Sequence, residues 1–488
     1  MASNHIQTVR QNARKLTKSM KYRILIILIL ITLIAEKGTS QNSQNVFNEI
    51  TEFVDTERNA YNIPNVVVGI TNADSIIYLQ NFGTGGIDDL YLIGSNSKSF
   101  TALATLILQQ KGLFDINDPV IKHLSWFKYE NSEQSDKLTV KDLLNHTTGI
   151  PRKLGMYEPH RNREIQQYYS GLLDQFTPEI SNIGNYEYSN FNYKLLGLII
   201  EQISNKKYSE FLKDEILKPL NLNETFATQN ESEHYGLIES YQYLLYFPIL
   251  QKSVDYNEYI VSSAFISSTA ENMCQYLRTF MNTKDSTQNL IVGQSITNQL
   301  FNPRTDIGSV YGMGWEIQKW KEFERYKHDG LTQSFSSSML MLPELEIGIV
   351  IMSNINNSPS TIEMADGILR ILTDKERVEY SKTGFYLRNS LPLFALLVLI
   401  VMIFRVKQWI GLKFPVGFNK RILSNIWLIL GVAFGLFLVI YIPVAFNTPL
   451  LATLDYEPNS GYSLIILTIG IIINSLIGYF NKTRKHFA

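Results

Sequence analysis

The spacing of apolar and polar residues changes character several times along this 488-residue chain. A twelve-residue apolar core, Ile24 to Ala35, follows a stretch rich in Arg and Lys. From residue 66 the pattern is that of strands: "VVVGIT" (66–71) and "SIIYLQ" (75–80), joined by "NAD", predict a hairpin, and "LYLIG" predicts a further short strand. Residues 99–300 follow a mostly helical period, broken by polar loops at 129–137 and 151–163. After residue 310 strands return in "MGWEIQKW", "RYKHDG", "SSSMLMLP" and "IGIVIMSN", with "PELE" (343–346) as a turn, and a last helix covers about 359–374. Strands near both ends with helices between them predict an α/β fold: one antiparallel sheet flanked by helices, plus an all-helical subdomain.

Both termini point to a membrane. Arg10, Arg14, Lys15, Lys18, Lys21 and Arg23 precede the apolar run, and "GTS" before Gln41 supplies small residues for a signal peptidase, so cleavage is expected after Ser40. Twelve residues are too few to span a bilayer comfortably; the rival reading is an uncleaved anchor, and Met20 is an alternative start. Three apolar segments follow residue 384, at about 385–404, 422–446 and 462–480. The first carries Arg388 and Pro392 near its start, so Arg388 has to snorkel. Loop 405–421 and the tail after residue 480 are basic, whereas loop 447–461 has no Lys or Arg. Basic loops stay in the cytoplasm, so the first span runs outside to inside and residues 41–384 lie outside the cytoplasm. Gly431 and Gly435 form G-x-x-x-G, read as packing among the three helices. The expected divisions are a signal peptide (1–40), an outer domain (41–378), a three-helix membrane domain (385–480) and a cytoplasmic tail (481–488).

Composition narrows the chemistry. A net charge of −1 gives no electrostatic footprint for nucleic acid. The single cysteine, Cys274, excludes an intrachain disulfide and a thiolate metal site, and is read as a packed helix residue. His123, His146, His160 and His234 lack metal-ligand spacing such as H-E-x-x-H, and no cofactor is expected.

"YLIGSNSKSFTALATLILQQKGL" (91–113) holds the first chemical signal. Ser95 and Lys98 are three apart, which puts both on one face of a helix. A serine at a helix start has free backbone N–H groups beside it to hold an oxyanion, and a buried lysine of lowered pKa can take its proton. S-x-x-K recurs at Ser125–Lys128 and Ser204–Lys207, but only Ser95 follows a strand and a glycine and opens a nearly all-apolar helix. Read from this window alone, the alternative is an ordinary helix cap with a solvated lysine. Tyr188 and Asn190 form Y-x-N just before another helix, with chance copies at Tyr129–Asn131 and Tyr479–Asn481. His328-Asp329-Gly330 lies at a strand edge, where the Leu331 N–H can complete an oxyanion hole. A literal Lys-Thr-Gly at 382–384 abuts the first membrane segment, and His234-Tyr235-Gly236 lacks a clear strand.

The set "IGSNSKSFTA", "LTVKDLLNHTTGIP", "YEYSNFNYKLLG", "EILKPLNLNETF", "SSAFISSTAENM", "YGMGWEI" and "HDG…FSSSMLMLPELEIGIVIMSN" resembles the serine hydrolases related to class C β-lactamases, D-Ala-D-Ala carboxypeptidases and penicillin-binding proteins, over about residues 50–370. That family uses S-x-x-K, Y-x-N and a third K-T-G or H-x-G motif. The resemblance implies Ser95 as nucleophile, Lys98 as its proton partner, Tyr188 as general acid/base, Asn190 as an orienter of substrate and lysine, and His328 and Gly330 as third-motif residues. It also implies a structural role for His146, in "LLNHTTGI". Asp329 stands where many relatives have Gly or Thr, and either restricts the pocket or pairs with a substrate cation. No E-x-x-L-N of the kind that positions water in class A enzymes is found. The three C-terminal segments resemble membrane-anchored relatives, among them peptidases that unmask acyl-D-amino-acid prodrugs.

The expectation is an extracytoplasmic, multi-pass membrane serine hydrolase, a peptidase or amidase acting on a D-amino-acid-containing peptide. The substrate is expected to be cell-wall-derived or an acyl-D-amino-acid prodrug, with membrane lipid as the other partner. An esterase and a β-lactamase are rivals within the class. A catalytically quiet module that binds cell-wall peptide or β-lactam is the rival outside it.

Overall fold

The computed structural model describes residues 44–130, 132–157, 164–176, 182–251, 256–281, 291–303, 308–374, 377–411, 418–441 and 448–483. The expected signal peptide and residues 484–488 lie outside the described residues. The chain forms two compact units. The smaller joins the residues up to Asp55 with Gly367–Val378. In it the first part of helix α1 (residues 44–60) places Phe53 against Gly367, where an added Cβ would stand 2.2 Å from the ring, and Glu52 pairs with Arg377 at 2.9 Å.

The larger unit, Thr56–Asp366 with Glu379–Ala488, holds the sheet. Its strands are β1 (Asn65–Thr71), β2 (Ile76–Gly83), β3 (Tyr91–Leu92), β4 (Thr225–Phe226), β5 (Ser240–Leu244), β6 (Phe247–Gln251), β7 (Ser267–Ser268), β8 (Glu316–Trp320), β9 (Phe323–Leu331), β10 (Ser336–Leu342) and β11 (Ile347–Ser353). The main sheet runs β2-β1-β11-β10-β9-β8 and every pair in it is antiparallel. The two ends of the outer region meet where Val68 pairs with Ile351, as the return of strand pattern after residue 310 leads one to expect. Strands β1 and β10 are buried along their whole length, which is why they read as continuous apolar or small-residue runs.

Helices α2 (Ser97–Gln110) and α3 (Asn190–Ser204) form the heart of the helical part, and α4 (Ala270–Met281) lies on the sheet. Ser97 through Leu108 are all buried, so α2 is apolar because it is surrounded. On β1, Gly69 leaves room for the buried Cys274 of α4; a Cβ there would stand 2.5 Å from its Sγ. Cys274 is thus a packed helix residue, as expected. Helix α5 (Ser358–Asp374) closes the outer region.

One feature differs from expectation and another matches it in part. Strands β5 and β6 form a hairpin inside the stretch read as helical. Their joint has no Gly, Asn or Asp; Leu245 itself takes the left-handed conformation, at φ 58°. The second is the number of spans. Helices α6 (Thr383–Gly411), α7 (Phe418–Leu436), α8 (Leu450–Tyr456) and α9 (Pro458–Thr483) follow the outer region. Among the described residues two segments, Thr383–Phe404 and Pro458–Ile477, are long and apolar enough to cross a membrane. The middle segment is helical from Phe418 to Tyr441, and its apolar part among the described residues, Leu428–Tyr441, is shorter than the roughly 20 residues a span needs. Ser424 and Asn425 interrupt its start, and residues 442–447 lie outside the described residues. The G-x-x-x-G glycines do serve packing: a Cβ on Gly431 would strike Ser475 Oγ at 1.8 Å, and one on Gly435 would meet Ile472 at 3.0 Å, so α7 lies close on α9. Arg388 pairs with Glu457 at 2.9 Å, which gives its charge a partner near the ends of α6 and α9.

Candidate active site

The site starts from a strained turn. Gly94 has φ +55° and opens a single 3-10 turn, Gly94–Asn96, that runs straight into α2. A Cβ on Gly94 would lie 2.3 Å from Leu331 N, and one on Gly330 would lie 2.0 Å from Ile93 O. Glycine at both places lets the backbone of β9 lie directly on the serine turn. The turn is fastened on its other sides. Ser97 Oγ donates to Gly94 O at 2.7 Å and accepts from Ile266 N–H at 3.1 Å, while Asn96 Nδ2 donates to Ser337 Oγ at 2.8 Å. Replacing Gly330 with alanine must push β9 off this turn. We expect kcat/KM for an ester to fall by about 10²–10³, the range for losing one oxyanion donor, in steady-state assays.

Ser95 is half-buried and Lys98 fully buried. Lys98 Nζ donates to Ser95 Oγ at 3.0 Å, Asn190 Oδ1 at 2.7 Å and Ser263 O at 2.7 Å. These three acceptors match the three donors of an ammonium. Burial nevertheless holds its pKa well below the ordinary lysine value, and the cations of Lys194 and Arg152 push the same way. Tyr188 OH donates to Ser95 Oγ at 2.9 Å. Burial raises the Tyr188 pKa, so it stays a phenol, and its ring lies 4.9 Å from Lys98 Nζ. Ser95 Oγ therefore bridges a lysine inclined to be neutral and a phenol with a proton to give.

The third motif sits differently. His328 Nδ1 lies 2.8 Å from Asp329 O, an acceptor, so that nitrogen carries the proton; Nε2 accepts from Tyr311 OH at 3.1 Å. Burial and the nearby Lys98 push His328 down to about 4, so the ring is neutral at pH 7. Asp329 already pairs with Lys327 at 2.8 Å and accepts from Ser338 Oγ at 2.7 Å, so both groups are engaged inside the sheet. The folded ring binds its proton only near pH 4, against about 6.5 for an unfolded histidine. Between those values the unfolded chain holds the extra proton, so stability rises with pH across this window and is lost as pH falls toward 4. Thermal melts of the solubilised protein at pH 5 and 7 should show this loss, and it should shrink in His328→Gln.

His146 is buried at φ +57°, with Nδ1 accepting from Ser189 N–H at 3.3 Å and Asn192 Nδ2 at 3.0 Å. Its ring lies 4.6 Å from that of Tyr188. It braces the Y-x-N segment, in keeping with the structural role expected.

The competing motif copies do not assemble. Ser125 and Lys128 are exposed, as is Lys207, and Tyr129 OH is spent on Thr148 O. His234 and Tyr235 end a helix, and Lys382 pairs with Glu57 and Glu363.

A cavity of about 730 Å³ opens beside Ser95, lined also by Tyr188, Asn190, Leu331, Arg152 and Lys194. His328 and Gly330 are not among its lining residues. Sequence reasoning did not single out Arg152, Lys194, Ser263 or Tyr311. Lys194, Ser263 and Tyr311 lie in the quoted stretches "YEYSNFNYKLLG", "SSAFISSTAENM" and "YGMGWEI", and Arg152 directly follows "LTVKDLLNHTTGIP"; the only signal is position in or next to a motif. Among the described residues no hydrogen-bond or salt-bridge partner holds the Arg152 guanidinium, and Lys194 donates to Gly155 O and Tyr157 O.

Known proteins share this arrangement of chain. The beta-lactamase family model matches residues 48–373. Protein flp of Staphylococcus aureus (strain N315) is 26% identical over 413 residues, covering 80% of this chain and 81% of that protein. Among solved structures, a class C beta lactamase from Rhodobacter sphaeroides aligns with TM-score 0.56 at 19% identity, over 67% of this chain and all of that one. A D-stereospecific amidohydrolase from Streptomyces sp. aligns with TM-score 0.53 at 21% identity, over 65% of this chain and 97% of that one.

Proposed function

Because this chain belongs to the beta-lactamase family, we propose that it is a serine hydrolase that forms an acyl-enzyme at Ser95 and cleaves an amide in a peptide containing D-amino acids. The observation that carries this is Ser95 Oγ held between Lys98 Nζ and Tyr188 OH, at 3.0 and 2.9 Å. Neutral Lys98 takes the Ser95 proton as Oγ attacks the carbonyl carbon. The Ser95 and Leu331 N–H groups hold the resulting oxyanion. Collapse breaks the C–N bond, and the leaving nitrogen takes the Tyr188 proton, which Lys98 replaces. Water then attacks the ester, its proton passing back through the same pair, and Ser95 is restored. Asn190 keeps Lys98 aimed at Ser95. The D-amino-acid preference is supported by fold likeness to a D-stereospecific amidohydrolase.

Purified protein should turn over D-amino-acid amides with about tenfold or greater preference over the L-forms. Turnover of esters alone would favour an esterase, and preferred cleavage of a cephalosporin a β-lactamase. Stoichiometric acylation without turnover would favour the quiet binding module.

The same proposal places residues 41–384 outside the cytoplasm, anchored by the helices after residue 383. Support comes from the two apolar helices, whose large side chains, such as Leu387 and Phe394, face outward, and from the basic residues of the 405–421 stretch between the first two apolar segments. A reporter fused after residue 384 should read outside and one at 413 cytoplasm. A fusion after 488 should also read cytoplasm, because the start of α9 is bound to the outer domain through Asn459 and Leu245.

A further inference from the structure

The wall of the Ser95 cavity that faces away from the sheet is built by the membrane helices. Leu391 of α6, Ala452 of α8, and Ser460, Ser463, Leu464 and Leu467 of α9 line it together with Ser95. The α9 positions are spaced i, i+3, i+4 and i+7, so they form one face of the helix. At 1.5 Å per residue this face runs roughly 10 Å along the helix from its outer end. It changes character on the way. The two serines come first, with the Ser463 hydroxyl turned back onto Asn459 O at 2.5 Å, and the two leucines follow. On this wall the two charges, Arg388 and Glu457, pair with each other at 2.9 Å, while the cations Arg152 and Lys194 line the outer-domain side of the cavity.

A second feature bears on the level of the lipid. The β5–β6 hairpin exposes Leu244 (58%) and Phe247 (62%), with Ile249 and Leu250 beside them. Its tip is bound to the outer end of α9: Leu245 N–H donates to Asn459 Oδ1 at 3.1 Å, and Asn459 Nδ2 donates back to Leu245 O at 3.2 Å. Gln242 Nε2 donates to Asp455 O at 2.8 Å. An apolar fingertip fixed at Asn459 suits an acyl boundary at that level, which leaves Leu464 and Leu467 below the boundary and Ser95 above it.

We propose that the substrate is an amphiphile whose linear hydrocarbon chain lies along this face of α9, while its scissile carbonyl sits at Ser95. It enters from the membrane rather than from bulk water. The inference rests on the hydrolase reading and deepens it: the groove selects acylated or alkylated amides and esters over their short-chain counterparts.

Full-length protein in nanodiscs is assayed with two substrate series of increasing chain length. p-Nitrophenyl acyl esters from acetyl to octanoyl carry the chain on the acyl side, and D-alanine alkyl esters carry it on the leaving side. In one series kcat/KM should climb by up to about tenfold for every two methylenes added. Leu464→Trp and Leu467→Trp, which fill the groove, should each lower the octanoyl-to-acetyl ratio, or the octyl-to-methyl ratio in the other series, about tenfold. A measurement on the unmodified protein stands beside these variants. An octyl fluorophosphonate with a terminal diazirine, attached to Ser95, should cross-link on illumination to α9 or α6. Flat profiles in both series, or cross-links confined to the outer domain or to lipid, overturn the inference while short-chain turnover keeps the hydrolase reading intact. No turnover of any chain length with no adduct at Ser95 overturns the hydrolase reading, and this inference with it.

Discussion

Ser95→Ala should reduce hydrolysis of a short ester to background, a loss of about 10⁵–10⁶ in kcat, the scale seen when a hydrolase loses its nucleophile. The expectation follows from position. Among the described residues only Ser95 has its Oγ between a buried lysine and a buried tyrosine. Alanine removes the oxygen and little else: the turn keeps Gly94 at its φ of +55° and its fastening through Ser97 and Asn96. The melting temperature should therefore move little while activity disappears. Ser125→Ala and Ser204→Ala should leave activity unchanged, because neither belongs to such a group. A Ser95→Ala protein that retained more than a trace of turnover would remove the basis of the mechanism.

The second large effect concerns the proton path. Lys98→Ala and Tyr188→Phe should each cost about 10²–10⁴ in kcat/KM, the usual range for a positioned acid–base group. Both residues handle the same proton in one cycle, so the double variant should be little worse than the poorer single one. The pH profile separates their roles. Only neutral Lys98 accepts the serine proton, so the rate should rise with pH through the lysine pKa, which burial and the cations of Lys194 and Arg152 have lowered. Tyr188 is raised by burial, so it keeps its proton across the neutral range. The acid limb should vanish with Lys98→Ala and survive in Tyr188→Phe. Independent, multiplicative losses would mean that the two residues do not share the path.

The parts of this site legible in the sequence are those encoded by short spacings. Ser95 with Lys98, and Tyr188 with Asn190, are each fixed by one turn of local structure, and the tertiary fold then brings the two pairs within 3.0 Å of one another. The strands of the main sheet were legible for a similar reason, since β1 is buried throughout and β11 in all but its first residue, and both leave long apolar runs. Ser263 holds Lys98 through its backbone carbonyl, which any residue supplies, so no side-chain pattern announces it. Tyr311 reaches His328 only because β8, β9 and the segment before them fold together. The β5–β6 hairpin was hidden because its turn relies on Leu245 at φ 58° in place of a glycine or asparagine. The middle span expected at 422–446 is matched in part: the described helix runs from Phe418 to Tyr441 with an apolar part of Leu428–Tyr441, and residues 442–447 lie outside the described residues.

Peptide mapping of the adduct formed with a fluorophosphonate tests the central claim most directly. The account predicts a single modified peptide, carrying the label on Ser95, with no labelling of the Ser95→Ala protein. A label on Ser125, Ser204 or any other serine of the native protein, or undiminished labelling of Ser95→Ala, would contradict it.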